Sequence, residues 1–241
     1  MAAYGAAMSM ADRVLVPENG QGSLGGSLAP LGNEAPHRSC HPGFTSRLAA
    51  FVSALTGRDV RFEHPALFLT KGQVMRDLAQ LQPDTDAWLS EHYSCSYDSR
   101  HANIDGRRVH CGLCGNCQLR RMSLFAASIE DSTKYRAASL SAPSLEAAFS
   151  GDKLPPELKS YRDVALNAAR GMQRVASLAL TPNSLRVWSE IDGLARCQGR
   201  SVPDTKADMF SFLQRHRDEW EAFLAHCGKT SWVSQLAKGY S

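Results

Sequence analysis

Three cysteines at a fixed spacing constrain what this chain can fold into more than any other feature of its sequence. Cys111, Cys114 and Cys117 are separated by two residues each, and a glycine in each gap allows the backbone to fold tightly around a small ion. A tetrahedral metal ion needs a fourth ligand, and Cys95 is the natural candidate upstream. Four thiolates suit a closed structural zinc site, which has no open coordination position for catalysis.

Two alternatives to zinc stay open from the residues alone. A ferredoxin-type iron–sulfur cluster would need a further cysteine followed by proline, whereas Gln118 and Leu119 follow the triplet. Reduced thiols without any metal are the second alternative. His110 could also replace Cys95 as the fourth ligand, although its position next to Cys111 is geometrically poor. The scattered cysteines are expected to be ordinary thiols, namely Cys40, Cys197 and Cys227.

Length and composition indicate a globular protein. The chain has 241 residues, 43% of them hydrophobic, which is enough to build a core. Its net charge of +3 does not by itself indicate nucleic-acid binding. The longest apolar run, residues 48–55, is much shorter than the roughly 20 residues that cross a bilayer, so no membrane association is expected. Because the N-terminus lacks a basic signal region, the expected location is the cytoplasm, where cysteines stay reduced or bind metal.

Hydrophobic patterning in the first part of the chain predicts an α/β fold with a parallel sheet. Two short segments have the composition of strands, and each is followed, after a loop, by a segment with helical periodicity. This alternation is typical of sheets wound in one direction. The predicted elements are a buried strand at 13–16, a Gly-, Ser- and Pro-rich loop up to 42, a helix at 44–55, a strand at 59–63 and a helix that Thr70 caps.

The pattern of hydrophobic residues changes after the cysteine segment. Residues beyond about 136 are predicted to be helical, and a stretch rich in Ser, Ala, Pro and Gly at 139–156 favours a boundary there. We therefore predict an α/β domain with the metal site at 1–136 and an all-helical extension at 137–241. Breaks between helices are expected near residues 181–183, 199–203 and 228.

The cysteine segment resembles the C-terminal part of the 7-cyano-7-deazaguanine synthases, PP-loop ATP pyrophosphatases of the queuosine pathway. Thr70 and Lys71 at the start of a helix are also similar to that family. The matching residues are Ser94-Cys95, the pattern His-Cys-Gly-x-Cys-Gly-x-Cys-x-x-Arg-Arg at 110–121, Phe125-Ala126 and Asp131-x-Thr133-x-Tyr135.

The resemblance implies a fold, cofactors and an activity. The sheet would be part of a Rossmann-like, adenine nucleotide alpha-hydrolase-like fold, and the four cysteines would bind structural zinc. Using ATP and Mg²⁺, the family adenylates the carboxylate of 7-carboxy-7-deazaguanine, ammonia displaces AMP to give an amide, and a second adenylation leads to the nitrile. The chain would thus be an ATP-dependent carbon–nitrogen ligase acting on a small deazaguanine substrate.

The family's phosphate-binding loop, Ser-Gly-Gly-x-Asp-Ser after the first strand, has no counterpart here. The nearest string, residues 23–28, lacks the aspartate and is expected to form a surface or active-site flap loop. The resemblance therefore covers the C-terminal portion of the family, and the first strand and the phosphate loop are expected upstream of Met1. We expect the isolated chain to be inactive, because it lacks this loop and needs an upstream half that carries it, here called the PP-loop half. Its expected partners are this N-terminal PP-loop half or a homodimer partner.

Five residues are candidates for binding ATP or substrate. Lys71 at the start of a helix is placed to meet a phosphate, with a solvated lysine as the alternative. Glu18 and Asn19 follow a strand, where open α/β sheets bind ligands, although Glu-Asn-Gly is also ordinary turn chemistry. Arg38 and His41 lie in a proline-bounded loop and could contact a carboxylate or phosphate. This loop and the Glu18–Asn19 segment resemble a divergent branch of the family that is associated with anti-phage defence.

A non-catalytic role is the second function class. A zinc-stabilised module could bind a protein or nucleic-acid partner, because arginines flank the cysteines. A charge cluster beside four thiolates is equally explained by charge balance, so we do not expect nucleic acid as a direct ligand. The arginines are Arg107, Arg108, Arg120 and Arg121.

Overall fold

The computed structural model describes residues 2–30, 39–81, 89, 92–97, 102–104, 106–150 and 154–239. The described chain is a mixed α/β structure with a short parallel sheet and a mostly helical remainder, which confirms the predicted fold class. Arg38 lies outside the described residues. No helix in the described ranges combines the length and the apolar character that crossing a membrane requires.

The ends of several helices follow from local sequence. Gly57 and Gly199 adopt left-handed conformations after the third and seventh helices, which end there for that reason. The predicted breaks near 181–183, 199–203 and 228 fall at the junctions between helices and are confirmed. In chain order the elements are α1 (Ala2–Met8), β1 (Arg13–Leu15), α2 (Gly20–Leu28), α3 (Pro42–Thr56), β2 (Arg61–Glu63), α4 (Lys71–Leu81), β3 (Asn103–Ile104), β4 (Arg107–Arg108), α5 (Gly115–Ala126), α6 (Leu158–Leu178), α7 (Leu185–Gln198), α8 (Val202–Cys227) and α9 (Trp232–Lys238).

The strands β1 and β2 form a parallel pair, as predicted. Val14 lies opposite Phe62, and both pack against a small core that α1 and α3 complete. Arg13 and Leu15 are exposed, so the expectation of a buried strand at 13–16 is wrong. The reason is that helices cover one face of this two-stranded sheet, while Arg13 on the other face pairs with Glu63.

The Gly- and Ser-rich string at 23–28 is helical, which corrects the expectation of a flap loop. Asn19 caps α2, because its side chain accepts a hydrogen bond from Gly22 N–H at 3.1 Å. The leucines of this helix are buried, and Gly20 lies so close to Phe212 that a side chain would not fit there. The small residues therefore allow α2 to pack closely, and they do not form a flexible loop.

The described chain divides into two compact units. The first contains residues 1–70 with 178–215, and the second contains 71–177 with 216–241. The helix α7 therefore belongs to the unit of the parallel strands, whereas α9 belongs to the unit of the cysteine segment. A compact unit need not fold independently. The predicted domain boundary at residue 136 therefore stays a prediction.

The core of the second unit surrounds the cysteine segment. Three of the four cysteines are almost completely buried, and Trp220 and Phe223 of α8 belong to the same cluster. Trp232 of α9 also belongs to it and donates its indole N–H to Ser139 O at 2.9 Å. The C-terminal helices thus supply much of the apolar wall around the cysteines.

Candidate metal centre and other predicted site residues

The four cysteines predicted as ligands meet in one cluster. The Sγ atoms of Cys95, Cys111, Cys114 and Cys117 all lie within 4.8 Å of one another. Two of the separations are 3.8 Å, between Cys111 and Cys117, and 4.0 Å, between Cys95 and Cys114. Four sulfurs at tetrahedral positions, each about 2.3 Å from a zinc ion, would be about 3.8 Å apart. The cluster could therefore hold a metal ion with little rearrangement.

Local sequence explains why Cys111, Cys114 and Cys117 bring their sulfur atoms together. Gly112 has a φ of +84°, which disfavours residues with a side chain, and a Cβ there would collide with the Ala137 carbonyl oxygen. The chain then turns directly into α5, with Cys114 as its N-cap. Cys117 lies in the first turn of that helix, so its sulfur is held on a regular element.

Backbone N–H groups surround the sulfurs, a feature that sequence interpretation missed. Cys111 N–H donates to Cys95 Sγ at 3.3 Å. The N–H groups of Leu113 and Cys114 donate to Cys111 Sγ, each at 3.3 Å, and Ser96 N–H donates to Cys114 Sγ at 3.5 Å. Such donors favour the thiolate because they stabilise its negative charge. The Cys-x-x-Cys spacing was the available signal, since the turn that joins two cysteines also turns their amides toward the sulfurs.

The protonation preferences of the four thiols differ. Hydrogen bonding with Cys111 lowers the pKa of Cys95 to about 6, and it also lowers the pKa of Cys114. Hydrogen bonding with Cys114 raises the pKa of Cys111, and hydrogen bonding with Cys111 raises the pKa of Cys117. Without a metal ion the four coupled thiols therefore do not all ionise together, and a dication bound to all four would displace the protons that remain.

His110 is separate from the ligand cluster. The group of potential ligand atoms found in the described residues consists of cysteines alone. His110 Nε2 accepts a hydrogen bond from Ser94 N–H at 3.3 Å, and burial lowers the pKa of His110 to about 4. Its ring lies against Tyr93, with 4.7 Å between the ring centres. The geometry therefore favours Cys95 over His110 as the fourth ligand.

Two of the flanking arginines are buried in the same unit. Arg121 lies over the ring of Tyr135, 3.6 Å from its centre, and donates to two backbone carbonyls at 2.9 and 3.1 Å. Arg120 donates to Thr133 Oγ1 at 3.0 Å. Since both side chains are about 95% buried, they are better placed to offset the charge of thiolates than to bind nucleic acid.

Glu18 and Asn19 lie at the start of α2 in the first unit. Glu18 Oε1 accepts hydrogen bonds from Asn19 Nδ2 at 2.6 Å and from Asn19 N–H at 3.1 Å. Asn19 is buried, and its Oδ1 is the cap of α2. Helix capping accounts for these contacts, and the role of both residues in ligand binding stays a prediction.

His41 is buried and hydrogen-bonded at both ring nitrogens. Its Nδ1 accepts a hydrogen bond from Gly43 N–H at 2.9 Å, which caps α3. Its Nε2 lies 2.6 Å from Glu190 Oε1 on α7, and the two side chains are 3% and 7% exposed. Sequence interpretation missed Glu190, although a glutamate between the buried Val187 and Ile191 was the signal. A ligand that binds His41 directly has to replace one of these hydrogen bonds, and that role stays a prediction.

Lys71 is the first residue of α4, in the second unit, whereas the three candidates described above belong to the first. Glu219 approaches the start of this helix, since its Oε1 would lie 2.6 Å from a Cβ at Gly72. A carboxylate is thus near the helix end at which a phosphate was expected, and phosphate binding by Lys71 stays a prediction. Arg38 is outside the described residues. Of the predicted site residues, the structure brings the four cysteines into one cluster.

Part of the chain is similar to curated 7-cyano-7-deazaguanine synthases. It is 30% identical over 104 residues to the protein of Cupriavidus taiwanensis, which covers 41% of each chain. It is 32% identical over 105 residues to that of Porphyromonas gingivalis, which covers 44% of this chain and 42% of the relative. The match to the Methylobacillus flagellatus protein is 31% over 86 residues, or 36% and 33% of the two chains.

The chain spans about two fifths of the length of the curated relatives that it matches. No family model and no solved structure matches it. The relatives carry one name, and the cysteine motif predicted the same family from the sequence. This chain is therefore a partial match to the 7-cyano-7-deazaguanine synthase family.

Proposed function

We propose that this chain forms the zinc-binding portion of a 7-cyano-7-deazaguanine synthase-like enzyme. In the proposed reaction, ATP adenylates the carboxylate of 7-carboxy-7-deazaguanine and releases pyrophosphate. Ammonia attacks the acyl carbon and AMP leaves, which gives the amide. A second ATP adenylates the amide oxygen and releases pyrophosphate, and loss of AMP and of both N–H protons gives the nitrile.

The observation that carries the proposal is the four-sulfur cluster, in a chain whose matched relatives are named for this product. The sulfur separations and the surrounding N–H donors fit a zinc ion held by four thiolates. Such an ion has no open position, so it would hold Cys95 against the start of α5 and take no part in the chemistry.

ATP and Mg²⁺ belong to the proposal because adenylation consumes ATP, and Mg²⁺ neutralises the charge on its phosphates. The Gly/Ser string in this chain is packed as α2, so its backbone N–H groups are engaged in a helix and do not cradle a phosphate. We therefore propose that an N-terminal PP-loop half completes the ATP site; a homodimer partner would lack the same loop and so would not replace that half. Lys71 would then meet a phosphate, and Glu18, Asn19, Arg38 and His41 would lie near the substrate.

Co-purification with a PP-loop segment tests this proposal. The N-terminal part of a matched synthase is co-expressed with the full chain, and the complex receives ATP, Mg²⁺, ammonia and 7-carboxy-7-deazaguanine. We expect the complex to form the nitrile with two AMP per nitrile, and the chain alone to form no AMP, as measured by mass spectrometry. A complex that forms no amide, nitrile or AMP would contradict the catalytic proposal, and AMP formed by the chain alone would contradict the need for a partner.

A zinc-stabilised binding module is the second candidate. The closed four-cysteine cluster favours it, because such a site contributes stability without an open position for substrate. The partner would be a protein or a nucleic acid, and a place in anti-phage defence stays a prediction, as does the cytoplasmic location. An inactive complex that retains zinc would favour this candidate over the enzyme.

A further inference from the structure

A cavity of about 370 Å³ lies in the first unit between α3 and α7. Its walls come from the start of α3, with His41 and Arg47, and from one side of α7, with Glu190, Gly193 and Cys197. This volume is within the range of roughly 300–1,000 Å³ that small-molecule sites have. None of the four clustered cysteines lines it, so the cavity is distinct from the metal centre.

One carboxylate in this cavity is held in a fixed orientation. Because His41 Nδ1 accepts a hydrogen bond from Gly43 N–H, the ring carries its proton on Nε2 and donates it to Glu190 Oε1 at 2.6 Å. The other oxygen, Oε2, accepts no hydrogen bond from the described residues and is not sealed away from solvent. Glu190 therefore presents one oriented oxygen to the cavity.

Burial of the Glu190 carboxylate destabilises the folded chain unless a ligand binds in the cavity. The side chain of Glu190 is 93% buried, and its one hydrogen-bond partner within the described residues is an uncharged imidazole. Burying a carboxylate without a full set of donors is unfavourable, whereas an apolar residue between Val187 and Ile191 would pack without that cost. A buried charge that stability does not explain is a candidate for ligand recognition.

A positively charged side chain also lines the cavity. Arg47 is exposed at its edge and makes no hydrogen bond or ion pair with any residue in the described ranges. The second arginine of the lining, Arg196, is already paired with Asp192 on the same helix. The cavity thus offers an acceptor at one wall and an available guanidinium at the other.

We infer that this cavity binds a small ligand that presents N–H donors to Glu190 and a carboxylate or phosphate to Arg47. The identity of the ligand rests on the proposed function. 7-Carboxy-7-deazaguanine carries both groups, since its aminopyrimidinone edge has adjacent N–H donors and its carboxylate lies on the opposite ring. Each carboxylate oxygen has two lone pairs, so Glu190 can receive both donors while it keeps the hydrogen bond from His41.

Binding of 7-carboxy-7-deazaguanine to the full chain is measured by isothermal titration calorimetry. Glu190→Gln keeps an oxygen for His41 but loses the charge, and we expect it to weaken binding about tenfold, as the loss of a charge-assisted hydrogen bond does. Arg47→Gln is at an exposed position, so it leaves the fold intact, and we expect binding about threefold weaker. Asp204→Asn is the control, because Asp204 is an exposed carboxylate of the same unit that does not line the cavity, and its loss should not change the affinity.

Benzamidine has an N–H donor edge but no anionic group. Its binding therefore tests the contact with Glu190 independently of the proposed substrate. We expect Glu190→Gln to weaken its binding and Arg47→Gln to leave it unchanged. Benzamidine binding that depends on Glu190, without binding of the deazaguanine, would support the site and contradict the proposed function. Deazaguanine binding that neither substitution weakens would overturn the site and leave the proposed function standing. If neither compound binds, the site is overturned.

Discussion

His216 is expected to make the stability of the chain depend on pH. Its side chain is fully buried on α8, with Nε2 3.0 Å from Met172 O, and burial lowers its pKa from 6.5 to about 4. The folded protein then holds this ring neutral at pH values at which the unfolded chain protonates it. The contribution of His216 to the free energy of unfolding is therefore fully present above pH 6.5 and is lost as the pH falls toward 4. At about 1.36 kcal/mol per pKa unit, the full loss is about 3 kcal/mol, or about 1.4 kcal/mol per pH unit within this window.

The test compares wild type with His216→Gln, whose amide can still donate to Met172 O but does not titrate. Urea unfolding at pH 7.5, 6.5, 5.5 and 4.5 gives the free energy of unfolding of each protein, and the difference between them removes the contribution of other groups, including the thiols. We expect the variant to be less stable at pH 7.5 and to approach or exceed wild type at pH 4.5. His226→Gln, at an exposed position on the same helix, is the control and should follow wild type. A constant difference between wild type and His216→Gln across this range would refute the reasoning.

Two further predictions concern the cysteine cluster. The purified chain should contain about one zinc, and Cys111→Ser or Cys114→Ser should lose it while Cys40→Ser keeps it; iron, or no metal, by plasma emission spectrometry would contradict the assignment. Gly112→Ala should destabilise the chain by at least about 1–2 kcal/mol, because its φ is +84° and a Cβ would meet the Ala137 carbonyl. Gly115→Ala, with open space around its Cβ, should be neutral or stabilising in the same urea titration, and equal effects of both substitutions would argue against the geometry.

The metal cluster was predictable because spacing alone fixes much of its geometry. A Cys-x-x-Cys turn brings two sulfurs together whatever the rest of the fold does, and a third cysteine one helical turn later joins them. The ends of α3 and α7 were predictable for a similar local reason, since Gly57 and Gly199 can adopt left-handed conformations at no steric cost. In each of these cases the physical cause lies within a few residues of its effect.

The elements that sequence interpretation missed depend on distant contacts. The string at 23–28 has the composition of a loop, but Asn19 caps it and Phe212, far along the chain, packs against its first residue. The strand β1 has the composition of a buried strand, but its exposure depends on how many layers cover the sheet, which no local pattern encodes. Glu190 was missed because its partner His41 is separated from it by 149 residues.

The C-terminal helices contribute carboxylates to the starts of N-terminal helices within each unit. In the first unit, Glu190 of α7 is joined through His41 to the first turn of α3. In the second, Glu219 of α8 lies beside Gly72 in the first turn of α4. A helix start favours negative charge, and it is also where α/β folds bind phosphates and other anions. An anionic substrate that uses either helix start must therefore displace a carboxylate or bind beside it, so we expect substitutions of Glu190 or Glu219 to change which anions bind there.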